Sequence, residues 1–194
     1  MATPTASNVA VGSALVTGAI FVAPTTTSLP TDGTTALGSS YTCLGFTSDD
    51  GLSISESSST NSLRVWEGNS EVKTQRTEYT EKISFTPVEC NEAVAKLMWG
   101  DDKVTVGANG ALTIKHHGGT LEPVHVVIET VPFDGAVARY CAKVQLTERG
   151  DATLNGKDFS GRQLTFNCLA DASGVTMTEY FARVQSVTTT TTGN

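Results

Sequence analysis

The chain has 194 residues, a formal net charge of −7 and a pI near 4.9, and only 17% of its residues are charged. This length suits one domain with a buried core and some extensions, and the abundance of threonine favours β structure. The acidic balance argues against a sequence-reading DNA-binding protein, which needs a basic surface to neutralise phosphates.

The first forty residues are predicted to form an arm and a linker rather than part of the core. The segment 9–23 is apolar but broken by glycine, serine and threonine, and it is too short to span a membrane. No basic segment precedes it, so we expect no secretory signal. An apolar arm followed by loop-forming residues docks either on its own domain or on a neighbouring subunit.

The β domain is predicted to run from residue 41 to residue 187. Ser48–Gly51 has the composition of a turn between two strands, and residues 57–73 are predicted to form a long loop. The clearest strand follows, because Tyr79, Glu81, Ile83 and Phe85 alternate with polar residues and share one face. Glu81 on that apolar face indicates a rim or an interface.

An amphipathic helix is predicted at about residues 88–99. Thr86 and Glu89 match a capping box, and Asn91 is a rival cap that would start the helix one turn later. Gly100 stands where a helix commonly ends in a left-handed residue. The helix therefore covers one face of a sheet.

The second half reads as strands separated by hairpin turns. Asn109-Gly110 is a strong hairpin signal, and residues 121–131 and 136–148 form a long pair turned at Asp134-Gly135. Residues 162–170 and 175–187 are predicted to form a last pair, joined through Asp171–Gly174, before a disordered tail at 188–194. The predicted fold is mainly β: an antiparallel β-sandwich or barrel with one flanking α-helix.

The four cysteines, Cys43, Cys90, Cys141 and Cys168, are widely spaced and form no CxxC pair. This spacing does not match a zinc site, and the cysteine density is too low for a disulfide-stapled scaffold. We expect reduced, buried cysteines that pack as small hydrophobic residues. A disulfide is the alternative, which only geometry can decide.

Catalytic patterns are missing from the sequence. His116 and His117 are adjacent, so in a strand they would point to opposite faces and could not bind one ion. His125 alternates with valines, the aspartate pairs lie in turn-like stretches, and there is no nucleophile elbow, phosphate loop or dinucleotide fingerprint. We predict no enzyme activity, no metal site and no cofactor.

The predicted loop at 57–73 carries apolar side chains that a free loop would leave exposed to water. Leu63, Val65 and Trp66 are flanked by Arg64 and Glu67, a composition typical of an interface anchor. The alternative is a small hairpin that packs Trp66 onto its own sheet.

The ordered motifs LGFTSDDG, TEYTEKISF and NEAVAKLMWG resemble the major tail tube proteins of long-tailed, non-contractile bacteriophages. The resemblance covers about residues 18–106 and includes RVWEGN between the first two motifs. It implies hexameric rings whose strands close into a continuous inner β-barrel, stacked into a tube through which DNA is ejected.

The resemblance also implies contact regions and partners. The arm and the long loop would make contacts between rings, with Ile20, Phe21, Val22 and the group from Leu63 to Glu67 as candidates. Partners would be further copies of the chain, a tape-measure protein and DNA held in the lumen without sequence reading, and tail-tip and tail-terminator proteins, with no membrane involved. Assembly in the host cytoplasm would place the protein in the virion tail.

An alternative interpretation is an immunoglobulin-like surface or decoration domain that binds a glycan or a protein. Trp66 and the threonine-rich termini suit an exposed adhesin. The missing signal peptide and the capped helix between strands argue against it.

Overall fold

The computed structural model describes residues 12–15, 18–133, 136–152, 154, 156–157 and 160–182. Ten strands and one helix lie in this part of the chain, which confirms the predicted mainly β, antiparallel fold with a flanking helix. The elements are β1 (Ile20–Pro24), β2 (Thr42–Cys43), β3 (Thr47–Arg64), β4 (Glu71–Pro87), α1 (Glu92–Trp99), β5 (Val104–Val106), β6 (Leu112–Ile114), β7 (Val124–Phe133), β8 (Ala136–Arg149), β9 (Leu164–Cys168) and β10 (Met177–Phe181).

Eight strands form one antiparallel sheet in the order β2-β1-β7-β8-β9-β4-β3, with β10 also paired to β8. In a flat sheet β2 and β3 would lie six strand spacings, or about 29 Å, apart. Only Leu44, Gly45 and Phe46 connect them, and such a connection reaches at most about 14 Å. The sheet therefore curls into an open, barrel-like trough.

Helix α1 lies on the concave face of this trough. Its Val94 and Leu97 belong to one core cluster with Ile83, Phe85 and Phe166, and the two phenylalanine rings stack with centroids 5.4 Å apart. The alternation predicted for β4 is confirmed, because Ile83 and Phe85 are each 1% exposed.

The helix begins later than the capping box suggested. The side chain of Asn91 accepts a hydrogen bond from the Val94 amide at 2.9 Å, so Asn91 is the N-cap and Glu92 the first helical residue. Thr86 instead belongs to β4, whose pairing with β3 extends to Pro87. Gly100 ends the helix at φ +90°, as predicted, with its amide bonded to the Lys96 carbonyl.

The predicted loop at 57–73 is instead the outer half of a long hairpin. β3 and β4 remain paired from Leu52 to Arg64, although this stretch lacks the apolar alternation of a half-buried strand. The predicted turn at Ser48–Gly51 lies inside β3 as an irregularity in register, where Gly51 has φ +74°. Both segments bury few side chains, so their sequences show no strand pattern. Backbone pairing between β3 and β4 nevertheless holds them as strands.

Two further segments differ from expectation. β1 lies within the predicted arm, yet it pairs with β7 and buries Ile20 in the core. β9 and β10 do not pair with each other; they follow one another along the same edge of β8. The Asp171–Gly174 turn is present, held by the Asp171 carboxylate. The Asp134-Gly135 turn and the 188–194 tail lie outside the described residues.

A strap formed by residues 25–41 covers part of the convex face. Arg139 of β8 is 4% exposed, and it donates to the Glu129 carboxylate from Nε at 2.9 Å. It also donates to the carbonyls of Asp32 and Thr35, at 2.8 and 2.9 Å. This buried pair therefore fastens the strap to the sheet. No helix within the described residues is long and apolar enough to cross a membrane.

Candidate functional site

The long hairpin of β3 and β4 extends beyond the rest of the sheet. β9 pairs with β4 only from Lys82 to Phe85, so beyond that point the hairpin continues as two strands alone. The ladder from Glu56 to Arg64 adds roughly 30 Å at about 3.4 Å per residue. Along this outer part nearly every side chain is exposed.

The hairpin ends in an ordered turn. Residues Glu67–Asn69 form a 3-10 turn, in which Gly68 and Asn69 have φ of +71° and +53°. The Val65 amide donates to the Ser70 carbonyl at 3.0 Å. This bond closes the backbone of the tip into an ordered turn.

Charged side chains brace the two strands behind the tip. Arg64 donates to the Asn69 carbonyl at 3.0 Å and lies 3.9 Å from the Glu71 carboxylate. Thr74 donates to the same carboxylate at 2.6 Å. These hydrogen bonds, from Thr74 first and also from Ser62, lower the pKa of Glu71.

The tip exposes an apolar surface. Trp66 is 97% exposed, and Leu63 and Val72 are 44% and 61% exposed. The predicted group from Leu63 to Glu67 is therefore brought together at one place, and the alternative in which Trp66 packs onto its own sheet is wrong. Val72 was not predictable from the sequence as part of this group, because it follows a turn and lacks apolar neighbours in the chain.

The three candidate contact residues of the arm lie elsewhere. Ile20 is 1% exposed in the core, so its side chain is not available to a neighbouring subunit. Phe21 and Val22 are half-buried in β1. Val22 lines a cleft of about 1180 Å³ beside α1, together with residues such as Leu97 and Phe166.

The histidines have structural partners. His116 stacks on Trp99 with ring centroids 3.8 Å apart, while Nε2 of His117 lies 2.7 Å from the Trp99 carbonyl oxygen. His125 is 9% exposed, and its Nδ1 lies 2.8 Å from the Thr27 carbonyl oxygen. Within the described residues no group of three or more His, Cys, Asp or Glu could hold a metal ion.

The Trp99 side chain also packs against the small β5–β6 sheet. The Arg149 guanidinium lies 4.5 Å from the centroid of the Trp99 ring, and Arg149 also donates to the Met98 carbonyl at 2.7 Å. Trp99 packs with Ala95 and Val104 in a second core cluster. These contacts hold the end of the helix against the small sheet.

Comparison with known proteins gives one finding. A family model described as "Phage tail tube protein" matches residues 4–189, which is nearly the whole chain. No curated protein matches the sequence.

Proposed function

Because this chain belongs to the phage tail tube protein family, we propose that it is the repeating subunit of a tail tube and that its hairpin tip joins successive rings. Family membership makes it a structural component of a bacteriophage tail. The finer elements of the proposal are a hexameric ring, stacking of rings into a tube, and a lumen through which DNA is ejected.

The observation that carries the proposal is the 97% exposure of Trp66 at the end of a braced hairpin. Burying an aromatic side chain removes about 150–250 Å² from water, which at about 25 cal/mol per Å² is worth roughly 4–6 kcal/mol per copy. A soluble monomer gains nothing from holding such a side chain in solvent. The tip is therefore built to bind another surface.

The hairpin's length supports contacts between rings. Its outer ladder reaches roughly 30 Å beyond the last strand that β9 supports. A contact at that distance lies well outside the footprint of the protomer's own sheet. The surface that receives the tip then belongs to a copy in the adjacent ring.

The free strand edges support ring closure. β3 ends the strand order of the sheet, and exposed edges of this length invite pairing with another chain. A head-to-tail contact that closes by rotation gives a ring. Continuous pairing around the ring would give the inner β-barrel and leave fewer edges unpaired.

The remaining parts of the proposal concern the tube's contents and ends. The net charge of −7 per copy favours a lumen that repels phosphates and lets DNA pass without capture. A tape-measure protein in the lumen, and tail-tip and tail-terminator proteins at the ends, complete the proposed partners. The role is structural and needs no catalysis, and assembly takes place in the host cytoplasm.

Replacing Trp66 with alanine tests the tip. We expect W66A to keep the melting temperature of the protomer, because a fully exposed side chain adds little to folding stability. We expect it to raise the concentration needed for tube growth by at least tenfold, measured by light scattering and electron microscopy. Asn61→Ala, an exposed change in the shaft of the same hairpin, is the matched control and should assemble normally.

Two results would count against the tip. W66A tubes that grow at the wild-type concentration would show that Trp66 makes no contact between copies. A large fall in the melting temperature of W66A would show that the side chain belongs to the core.

A further inference from the structure

The cleft beside α1 has an apolar floor and an exposed rim. The floor includes Val22, Val124 and Leu146, which pack against the core cluster but are only partly buried. The rim includes Thr120 and Glu122, which are exposed. A cleft of roughly 300–1,000 Å³ already buries most of a drug-sized molecule. At about 1180 Å³, this cleft has room for a tryptophan side chain and its neighbours.

The rim of the cleft is more acidic than basic. Among the described residues that line it are four carboxylates and two lysines: Glu92, Asp101, Asp102, Glu122, Lys96 and Lys103. Both lysines already bind carboxylates of the same rim. Glu122 takes part in none of the ion pairs within the described residues. The rim therefore favours an occupant that carries positive charge.

The outer end of the hairpin has a complementary composition. Between the paired residues Thr60 and Arg76 it carries three cations and two carboxylates, a net charge of +1 in a chain of −7. Leu63 pairs with Lys73 across the two strands, so their side chains share one face of the hairpin. With Trp66 at the turn, 97% exposed, the tip presents an aromatic ring, an apolar side chain and a cation close together.

Strand register places the cleft and the hairpin tip at opposite ends of the sheet. Val124, which lines the cleft, is the first residue of β7 and pairs with Pro24 of β1 and Val144 of β8. Followed from β4 through β9 and β8 to β7, the pairings show that the hairpin leaves the sheet in the direction in which β7 continues to Phe133. A tip therefore points away from the cleft of its own protomer and towards a copy stacked beyond that end.

The arm and the tail of the same chain also start far from the cleft. The Val131 amide donates to the Ser13 carbonyl at 2.8 Å, and the Ala182 amide donates to the Val137 carbonyl at 3.0 Å. Val131 lies seven residues along β7 from Val124, or about 24 Å at about 3.4 Å per residue. A second copy is therefore the occupant that the geometry favours.

We propose that the cleft beside α1 receives the hairpin tip of a second copy, with Trp66 and Leu63 on its apolar floor and Lys73 towards its acidic rim. This inference rests on the proposed function, and it names the surface that the tip binds in the adjacent ring. A contact between two different surfaces of identical chains leaves each copy with a tip at one end and a cleft at the other. Such a contact repeats along an axis, as the stacking of rings requires.

Reciprocal photo-cross-linking in assembled tubes tests the contact directly. Para-benzoylphenylalanine replaces Trp66 in one preparation and Thr120 in another, which places one probe on the tip and one on the rim of the cleft. Isotope-labelled and unlabelled chains are mixed before assembly, so that mass spectrometry identifies cross-links between different chains. We expect the probe at 66 to reach β1, α1 or residues 117–124 of another chain. We expect the probe at 120 to reach Val65–Lys73, the tryptic peptide that contains position 66, also of another chain.

Filling the cleft tests the same contact through assembly. Thr120→Trp adds a ring at an exposed position of the rim, so the dilute protomer should melt within a few degrees of wild type. We expect the concentration needed for tube growth to rise at least tenfold, because the ring occupies the place of the tip. Thr113→Trp makes the same change at an exposed position of β6 outside the cleft lining, and it should assemble within about threefold of wild type.

The outcomes distinguish this inference from the proposed function. Failure of the wild-type chain to form rings or tubes would overturn both. Cross-links from position 66 to a surface outside the cleft, such as that around Phe46, which is 64% exposed, would overturn this inference alone. Cross-links from position 120 to the first residues of its own chain, or equal assembly of T120W and T113W, would do the same.

Discussion

Arg139 fastens the 25–41 strap to the sheet through two of the strap's carbonyls. Its guanidinium is buried against Glu129 and satisfies two strap carbonyls. Asp32 in turn accepts the amides of Thr35 and Thr34 at 2.6 and 2.7 Å, and these bonds hold the pKa of Asp32 well below its usual range. Arg139 thus couples the strap to β8, as the His125 contact with the Thr27 carbonyl couples it to β7.

Replacing Arg139 with methionine should destabilise the protomer by about 3–5 kcal/mol, because the change leaves the Glu129 carboxylate buried without a cation. Urea unfolding followed by circular dichroism measures this. Arg64→Met is the control, since its ion pair with Glu71 is largely exposed and should cost less than about 1 kcal/mol. Equal losses in the two variants would contradict the role given to Arg139.

A second prediction at the scale of residues concerns the reactivity of the cysteines. Cys141 and Cys168 are buried free thiols, and Cys90 is an exposed one. Desolvation raises the pKa of Cys141 to about 11 and that of Cys168 to about 12. Because the thiolate is the reactive form, a thiol reagent at pH 8 should modify Cys90 rapidly and these two only after unfolding.

The raised pKa values of Cys141 and Cys168 also predict how folding stability depends on pH. In the unfolded chain these thiols ionise near their ordinary pKa of 9.0, while in the folded chain they stay neutral to higher pH. The unfolded state therefore loses protons first, so stability should fall as the pH rises above 9. Rapid modification of Cys141 or Cys168 in the native protein, or constant stability from pH 9 to pH 11, would contradict this.

At the scale of elements, the outer hairpin is separable from the fold. Residues 57–80 include no buried side chain. Replacing them by Asn-Gly, which favours a tight hairpin turn, should leave the melting temperature of the dilute protomer within a few degrees of wild type. The same variant should fail to form tubes. A shortened chain that does not fold would show that the hairpin supports the domain.

The hairpin also shows what the sequence could and could not predict. Strand β4 near Ile83 was predictable because one of its faces is buried and gives a clear period of two. The outer half has both faces in solvent, so its serines and threonines carry no such period and resemble a loop. Trp66 was still recognisable as a contact candidate, because its exposure does not depend on whether the segment is a loop or a hairpin.

In the other elements too, local backbone signals were predictable from the sequence and long-range strand pairing was not. Gly100 and Asn109-Gly110 were predictable because they are local backbone signals, and the structure has both. The start of α1 was ambiguous since Thr86 and Asn91 are both good caps, and strand pairing at Pro87 decides between them. β1 resembled an arm because its pairing with β7 joins residues about a hundred positions apart, which no local pattern can reveal.

At the scale of the whole molecule, the sheet curls around α1 but does not close. Within the described strands, β2 and β3 end the order without pairing with each other, and the hairpin extends away from the trough. A monomeric domain would leave a long strand edge and an exposed tryptophan without partners. In the proposed tube, contacts between copies would give a partner to each.

Electron microscopy of the assembled wild-type chain, at a resolution that shows side chains, tests this account most directly. We predict stacked rings in which each hairpin reaches the adjacent ring and Trp66 is buried against another copy. A chain that stays monomeric under all assembly conditions, or a tube in which Trp66 remains in solvent, would contradict the account.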